Sequence, residues 1–526
     1  MSYKKFFSII PSIFLLASCS LFSTSNEFKV FKYDVPLKVV KTDDSINSFV
    51  QKKDFETIEY YKNVETEEKR QIKSIRDLSY TYSNKEPIVS IDSIGERKLL
   101  VVPVYFSDSD SSLNKKYHTY IQNAFFGEKD KNIYYSVAEY YMRSSYGSLS
   151  LKGEVTDWFY YNHKIRDLIE TGTHYTYISR KILNEVVSWL KTESNIDLAS
   201  YDSDSDGYLD GIFMVYNYPY DNENTQSLLW AYTDYPKVEI NESLKLSHYC
   251  WASVDFMNPN GNRVQANTYI HEVGHLFGLL DYYNTKENGY YQPTGSMDMM
   301  DYNLGDHTAF SKMLLNWVTP YVPRYASKIV LPSFLNSGKF ILLPKKTWNG
   351  TPFDEYLLLE YHTPTGLNNC YNTKYAYTDR DGNSGIFHYF SSYGIKLYHV
   401  DARLAYYDDK GNEKENVICH LDDPNAKDIL KQHPNMNYYH VSFLNTNSVV
   451  ELGDFPLYAL LGKNGSEKLK QNIPANDSYL FSDGDSFGKK DDMYFDFTFN
   501  TGETLTFAFE VDKIDSNGAT ISVSTR

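Results

Sequence analysis

The chain has 526 residues, of which 42% are hydrophobic and 23% charged. This ordinary globular composition excludes a largely disordered polypeptide, and the length exceeds what one hydrophobic core serves, so roughly two or three folded units are expected. A formal net charge of -16 excludes a nucleic-acid partner, which clustered Lys and Arg would have to hold, and suits solubility and cation binding.

The N-terminus reads as a targeting signal. Lys4 and Lys5 precede an apolar stretch from Phe6 to Leu16, which has the length of a signal-peptide core and is short for a membrane span. Leu16-Ala17-Ser18-Cys19 resembles a bacterial lipobox, implying cleavage before Cys19 and a lipid on its thiol. The other reading is an ordinary secretory signal with an incidental cysteine. Both place the protein outside the cytosol, and the first displays it on the extracellular face of a bacterial membrane, anchored or later released. Residues 1–18 are thus expected to be a lipoprotein signal peptide. Residues 19–95, charged and irregular with one helix near Val64–Leu78, are expected to be a spacer or prosegment.

Residues 96–320 carry the signs of a catalytic unit. Leu99 to Val102 form an apolar run typical of a buried strand, which Pro103 is expected to end or bulge. Asp108 and Asp110 follow in a Ser-rich loop, as cation ligands or simply as surface. Ile178, Ile182, Val186 and Leu190 recur every fourth residue and predict an amphipathic helix of about four turns. Asp202-Ser203-Asp204-Ser205-Asp206-Gly207-Tyr208-Leu209-Asp210 then alternates carboxylates in a tight loop, as a hard cation such as calcium requires. Asp202, Asp204, Asp206, Tyr208 and Asp210 are its candidate ligands. Phe213 at the twelfth position excludes an EF-hand, and a solvated acidic turn is the alternative. The loop leads into a strand at Gly211–Tyr216, and this alternation of strand and helix suggests an α/β or α+β unit.

The chemistry concentrates in His271-Glu272-Val273-Gly274-His275. Residues four apart lie about 40° apart around a helix, so both imidazoles can reach one ion while Ile270, Val273 and Phe277 pack into the core. A catalytic zinc takes three protein ligands and leaves a position for water. Gly278 can adopt positive φ and end the helix, letting the chain return so that Asp281 approaches as the third ligand. Glu272 is placed to act as general base.

These residues resemble the metzincin clan and, more closely, its M6 (immune inhibitor A-like) metallopeptidase family, whose pattern His-Glu-x-x-His-x-x-Gly-x-x-Asp-Tyr-Tyr matches from His271 to Tyr283. Gly295 to Tyr302 is similar to the family's Met-turn, which implies that Met300 lies beneath the ligands. Ser144 to Leu151, Ala309-Phe310-Ser311-Lys312 and the acidic loop at Asp202 also have counterparts there. The likeness covers about residues 97 to 320. It departs at Leu280, Asn284, Met297 and Asn316, none of them a ligand or the base. Some metzincins carry a tyrosine two residues after the Met-turn methionine that contacts zinc or steadies the oxyanion; Tyr302 stands there, and packing alone is its other reading.

After Pro320 and Pro323 short β-rich runs appear, such as Lys339–Leu343, Tyr356–Tyr361, Gly394–Val400, Thr504–Val511 and Ala519–Val523. Residues 321–526 are therefore expected to form one or more β-sandwich-like modules. Apart from Cys19, three scattered cysteines rule out a disulfide scaffold; Cys370 and Cys419 are the nearer pair for a single bridge, and burial as small hydrophobes is the other reading. The expected whole is an α+β protein with a metzincin-like zinc-peptidase domain: a lipid-anchored zinc metalloendopeptidase with zinc and calcium as cofactors and protein or peptide substrates. A non-enzymatic surface adhesin on the same fold is the alternative.

Overall fold

The apolar run after Arg97 forms strand β1, Gly95–Phe106, in a computed structural model. The described residues are 38–40, 89–170, 174–220, 229–283, 292–348, 350–372, 374–378, 384–407, 418–420, 437–440, 456–463 and 474–526. The signal segment with Cys19, the helix expected near 64–78, most of the 19–95 spacer and Asn284 lie outside them. The chain is mixed α and β with several separate sheets, compatible with the expected α+β class.

With β2 (Leu149–Val155), β3 (Ile212–Asn217), β4 (Tyr232–Asp234) and β5 (Tyr249–Ser253), β1 builds a sheet of order β2-β1-β3-β5-β4. All neighbours are parallel except β4, which runs antiparallel along β5 at the edge. Helices cover both faces, so a central strand must be apolar throughout, and Leu99 to Val102 are fully buried. Odd members of β1 (Leu99, Val101) pack with helix α1 (Asn114–Phe126) and helix α2 (Val137–Ser144); even members (Leu100, Val102) pack with helix α3 (Tyr175–Thr192). Ile178, Ile182, Val186 and Leu190 are the stripe by which α3 docks.

Pro103 neither ends nor bulges β1, contrary to expectation: it stays in register opposite Val215. The Val101 carbonyl bonds the Thr156 amide, so odd residues point their polar groups toward the β2 side. On that side pairing with β2 stops at Val155 and resumes at Phe159, where the short strand Phe159–Tyr161 joins. The missing N–H of Pro103 faces this gap, where no ladder bond is lost.

Helix α4 (Asn267–Leu276) lies on the β1 face with α1 and α2, next to the β4 edge. It is followed by the one-turn helix α5 (Met299–Tyr302) and by α6 (Ala309–Leu314). Beyond these come β6 (Ser327–Leu331), β7 (Ile341–Pro344), β8 (Glu355–His362), β9 (Gly394–Asp401), β10 (Tyr458–Leu461), β11 (Phe507–Asp515) and β12 (Gly518–Thr525). Strands β7-β8-β9-β10 form one antiparallel sheet; β6, β12 and β11 are the centre of another, whose edge strand is Lys38–Val40 from the segment read as a spacer. The two sheets share a core of Ile329, Leu331, Ile521 and Val523 against Leu357, Leu359, Ile395 and Leu397. Strand alternation sends Tyr356, Leu358, Tyr398 and Tyr458 the other way, into the same core as α4 and α6. Every residue of β8 is consequently buried.

Candidate metal centre

Helix α4 ends in a Schellman motif. Gly278, at φ +86°, donates its amide to the His275 carbonyl (2.9 Å), and the Leu279 amide reaches back to the Gly274 carbonyl (3.2 Å). This reversal brings Asp281 back to the helix, where its Oδ1 lies 3.0 Å from His271 Nε2 and 3.3 Å from His275 Nε2. The three donor atoms all lie within 4.8 Å of one another.

The other imidazole nitrogens fix the tautomers. His271 Nδ1–H donates to the Met299 carbonyl and His275 Nδ1–H to the Leu279 carbonyl, each at 2.8 Å. Both Nε2 lone pairs therefore face one carboxylate oxygen, an arrangement that needs either a proton on each nitrogen or a cation among them. Without an ion, burial works against a charged His275, but the Asp281 charge outweighs it and lifts the imidazole to about 9. Burial likewise opposes the Asp281 carboxylate, yet the His275 charge and the hydrogen bonds of both imidazoles hold it well below the usual range. Tetrahedral zinc with ligand bonds of about 2.0–2.1 Å sets its donors about 3.3 Å apart, close to the two distances from Asp281 Oδ1 to the imidazole nitrogens. Two neutral imidazoles and one carboxylate thus fit that ion. Every residue of the helix except half-buried Thr268 is buried, on its histidine face as well as on the face toward the sheet.

Glu272 is buried beside the cluster. Burial raises its carboxyl, while the charges of His275 and His271 pull it down. Thr233 on β4 donates toward Glu272 Oε2 at 3.1 Å. Sequence reasoning missed Thr233: a lone threonine in a three-residue strand carries no signal until the strand is seen beside α4. Met300 is buried under the helix, and a Cβ on Gly274 would meet its Sδ at 2.6 Å, so the glycine lets the thioether approach the backbone between the two histidines. Tyr302, at the end of α5, is 41% exposed, and among the described residues no hydrogen bond joins its hydroxyl to the three donors.

Buried polar groups brace the segment under the site. Asp298 accepts from the Met300 amide (2.7 Å) and the Thr308 amide (2.8 Å), tying α5 to the start of α6. The Ser-Tyr-Gly and Ala-Phe-Ser-Lys segments meet here: Lys312 Nζ lies 2.6 Å from Asp306 and 3.1 Å from the Tyr146 hydroxyl, and Ser144 donates to Asp306 at 2.6 Å. Asp306 was another residue the sequence did not single out.

In the acidic loop, Asp202, Asp204 and Asp206 gather as possible cation donors. Asp210 turns away to accept from Ser203 Oγ and from the Lys98 amide, and burial raises it to about 6. Tyr208 bridges to Lys245, and Gly207 at φ +86° lets the loop turn. Asp108 accepts from the amides of Ile165 and Arg166 at the start of a short helix, and Asp110 caps the turn at Ser111–Leu113. Cys250 and Cys370 are buried thiols, and the Cys419 side chain lies outside the described residues. Among the described residues no helix is long and apolar enough to cross a membrane. No protein-family model matches the chain, and a search of curated proteins finds no match.

Proposed function

We propose that the chain is a zinc-dependent metalloendopeptidase that hydrolyses peptide bonds of extracellular proteins, carried on a lipid at Cys19. The observation that carries the reading is the convergence of His271 Nε2, His275 Nε2 and Asp281 Oδ1 next to the buried carboxyl of Glu272. Zinc held by these three would supply Lewis acidity toward a water and a scissile carbonyl. The protein's own part is proton transfer. Glu272, whose carboxyl burial raises above its ordinary value, takes a proton from the attacking water and returns it to the leaving amide nitrogen. Two histidines and a carboxylate also suit ferrous iron, but a base adjacent to the first ligand favours hydrolysis.

The Gly278 return to Asp281 and the Met300 thioether under Gly274 support the metzincin-like reading of this unit. Among the described residues no strand pairs with the outer edge of β4, along which a peptide could add as a strand. Calcium at Asp202, Asp204 and Asp206 belongs to the same proposal. The adhesin alternative lacks a reason for the buried Glu272.

The deciding experiment compares wild type with Glu272→Ala on a denatured protein substrate, with and without a zinc chelator. Cleavage should require both Glu272 and the metal; equal activity of the two proteins refutes the mechanism. For the anchor, Cys19→Ala should move the protein from the membrane to the soluble fraction, and unchanged partitioning rejects lipidation.

A further inference from the structure

We propose that Thr233 is a positioning residue: it holds Glu272 Oε2, so that the proton of the attacking water is received on Oε1. This inference rests on the peptidase reading above.

Strand alternation gives the geometry. Tyr232 and Asp234 face α3, where the Tyr232 ring packs on Tyr175 (5.2 Å between centroids) and Asp234 pairs with both Arg180 Nε (2.6 Å) and Nη2 (2.7 Å). Asp234 also accepts from the Tyr249 hydroxyl at 3.1 Å, so the short edge strand is clamped from that side. Thr233 between them faces α4. Its Oγ1 lies 3.1 Å from Glu272 Oε2, 3.2 Å from the Glu272 carbonyl and 3.3 Å from Cys250 Sγ.

Proton bookkeeping orients this cluster. A carboxylate and a carbonyl can only accept, and burial keeps the Cys250 thiol protonated. The Cys250 thiol lies 3.5 Å from the Glu272 carbonyl and donates to it, which leaves the one hydroxyl proton of Thr233 for Glu272 Oε2. Among the described residues none donates to Oε1, which leaves that oxygen for water. In the reaction an O–H bond of water breaks, its oxygen bonds to the scissile carbonyl carbon and its proton bonds to Oε1. The same proton passes to the amide nitrogen as the C–N bond breaks, and the Thr233 proton stays in place throughout. A second proton acceptor on the carboxylate is thereby blocked, and the carboxylate cannot swing away from the water.

The test uses full-length, zinc-loaded Thr233→Val and Thr233→Ser, assayed on a peptide taken from a cleavage site in the denatured substrate. Loss of a hydrogen bond to a charged group should lower kcat about ten- to a hundredfold in the valine variant, with KM and zinc content unchanged, and serine should restore most of the rate. A valine variant with wild-type kcat, a serine variant as slow as valine, or loss of zinc overturns the proposal. Thr233→Ala replaces valine if that variant does not fold. Crystal structures of the metal-free proteins give a readout apart from activity: Glu272 should contact Thr233 in wild type and take another rotamer in the valine variant. A wild-type carboxylate turned away from Thr233 overturns the proposal. Wild type no more active than Glu272→Ala instead overturns the peptidase reading, and the same crystal structures still decide whether Thr233 holds the carboxylate.

Discussion

Gly278→Ala tests how the third ligand reaches the site. The glycine sits at φ +86°, where a Cβ costs roughly 1–2 kcal/mol. Two hydrogen bonds depend on that conformation, and one residue later the Leu279 carbonyl fixes the His275 tautomer. Strain at Gly278 should therefore cost both stability and metal affinity. At about 2–4 °C per kcal/mol for a unit of this size, the metal-free variant should melt roughly 2–8 °C below wild type. Zinc affinity should fall about ten- to a hundredfold, the usual price of disturbing the partner of a ligating histidine. Thermal unfolding of the metal-free proteins and chelator competition for zinc measure the two quantities. Gly278→Asn, whose side chain tolerates positive φ, should recover part of each. Wild-type melting and affinity in Gly278→Ala would refute the strain argument. Lower stability with unchanged affinity would separate the turn from the position of Asp281.

Asp306→Ala should destabilise the fold by about 3–5 kcal/mol in denaturant titrations, since it leaves the buried Lys312 ammonium without its carboxylate; a loss below about 1 kcal/mol would mean water reaches the lysine. Burial raises Asp301 to about 7, so the unfolded chain ionises first: its contribution to stability is complete below about pH 4 and is lost as pH rises toward 7. Asp301→Asn should accordingly gain stability relative to wild type at pH 7.5 compared with pH 4.5, and parallel profiles of the two proteins would contradict this sign. Calcium should raise the melting temperature of wild type but not of Asp204→Ala; no shift in wild type would leave the loop a solvated acidic turn.

Periodicity made the local elements legible. The fourfold recurrence from Ile178 to Leu190 is the buried stripe of α3, and the five β-rich runs after Pro320 each fall on a strand. His271, His275 and Asp281 could be grouped in advance because helix pitch and one glycine turn connect them within eleven residues. Groups brought together by tertiary packing alone left no trace. Thr233 meets Glu272 across 39 positions and Asp306 meets Ser144 across 162. Pro103 misled because the ladder gap that accommodates it belongs to neighbouring strands. Asp210 follows the acidic alternation in sequence, but backbone amides compete for its carboxylate and take it out of the group.

The sheet containing β8 has a consequence for how the molecule can be divided. Its outer face supplies Tyr398 and Tyr458 to the core around α4, and Tyr458 lies 5.2 Å from Phe310 and 5.6 Å from Tyr282, next to the ligand loop. The Leu460 amide bonds the Pro293 carbonyl, and Glu360 accepts from the Ala309 amide. The second half of the chain thus forms a wall of the room in which His271, His275 and Asp281 are arranged. A protein shortened to end at Pro320 would lack that wall, expose the core around α4 to water and lose the supports of residues 292–312, so any minimal version of this protein has to retain the β7–β10 sheet.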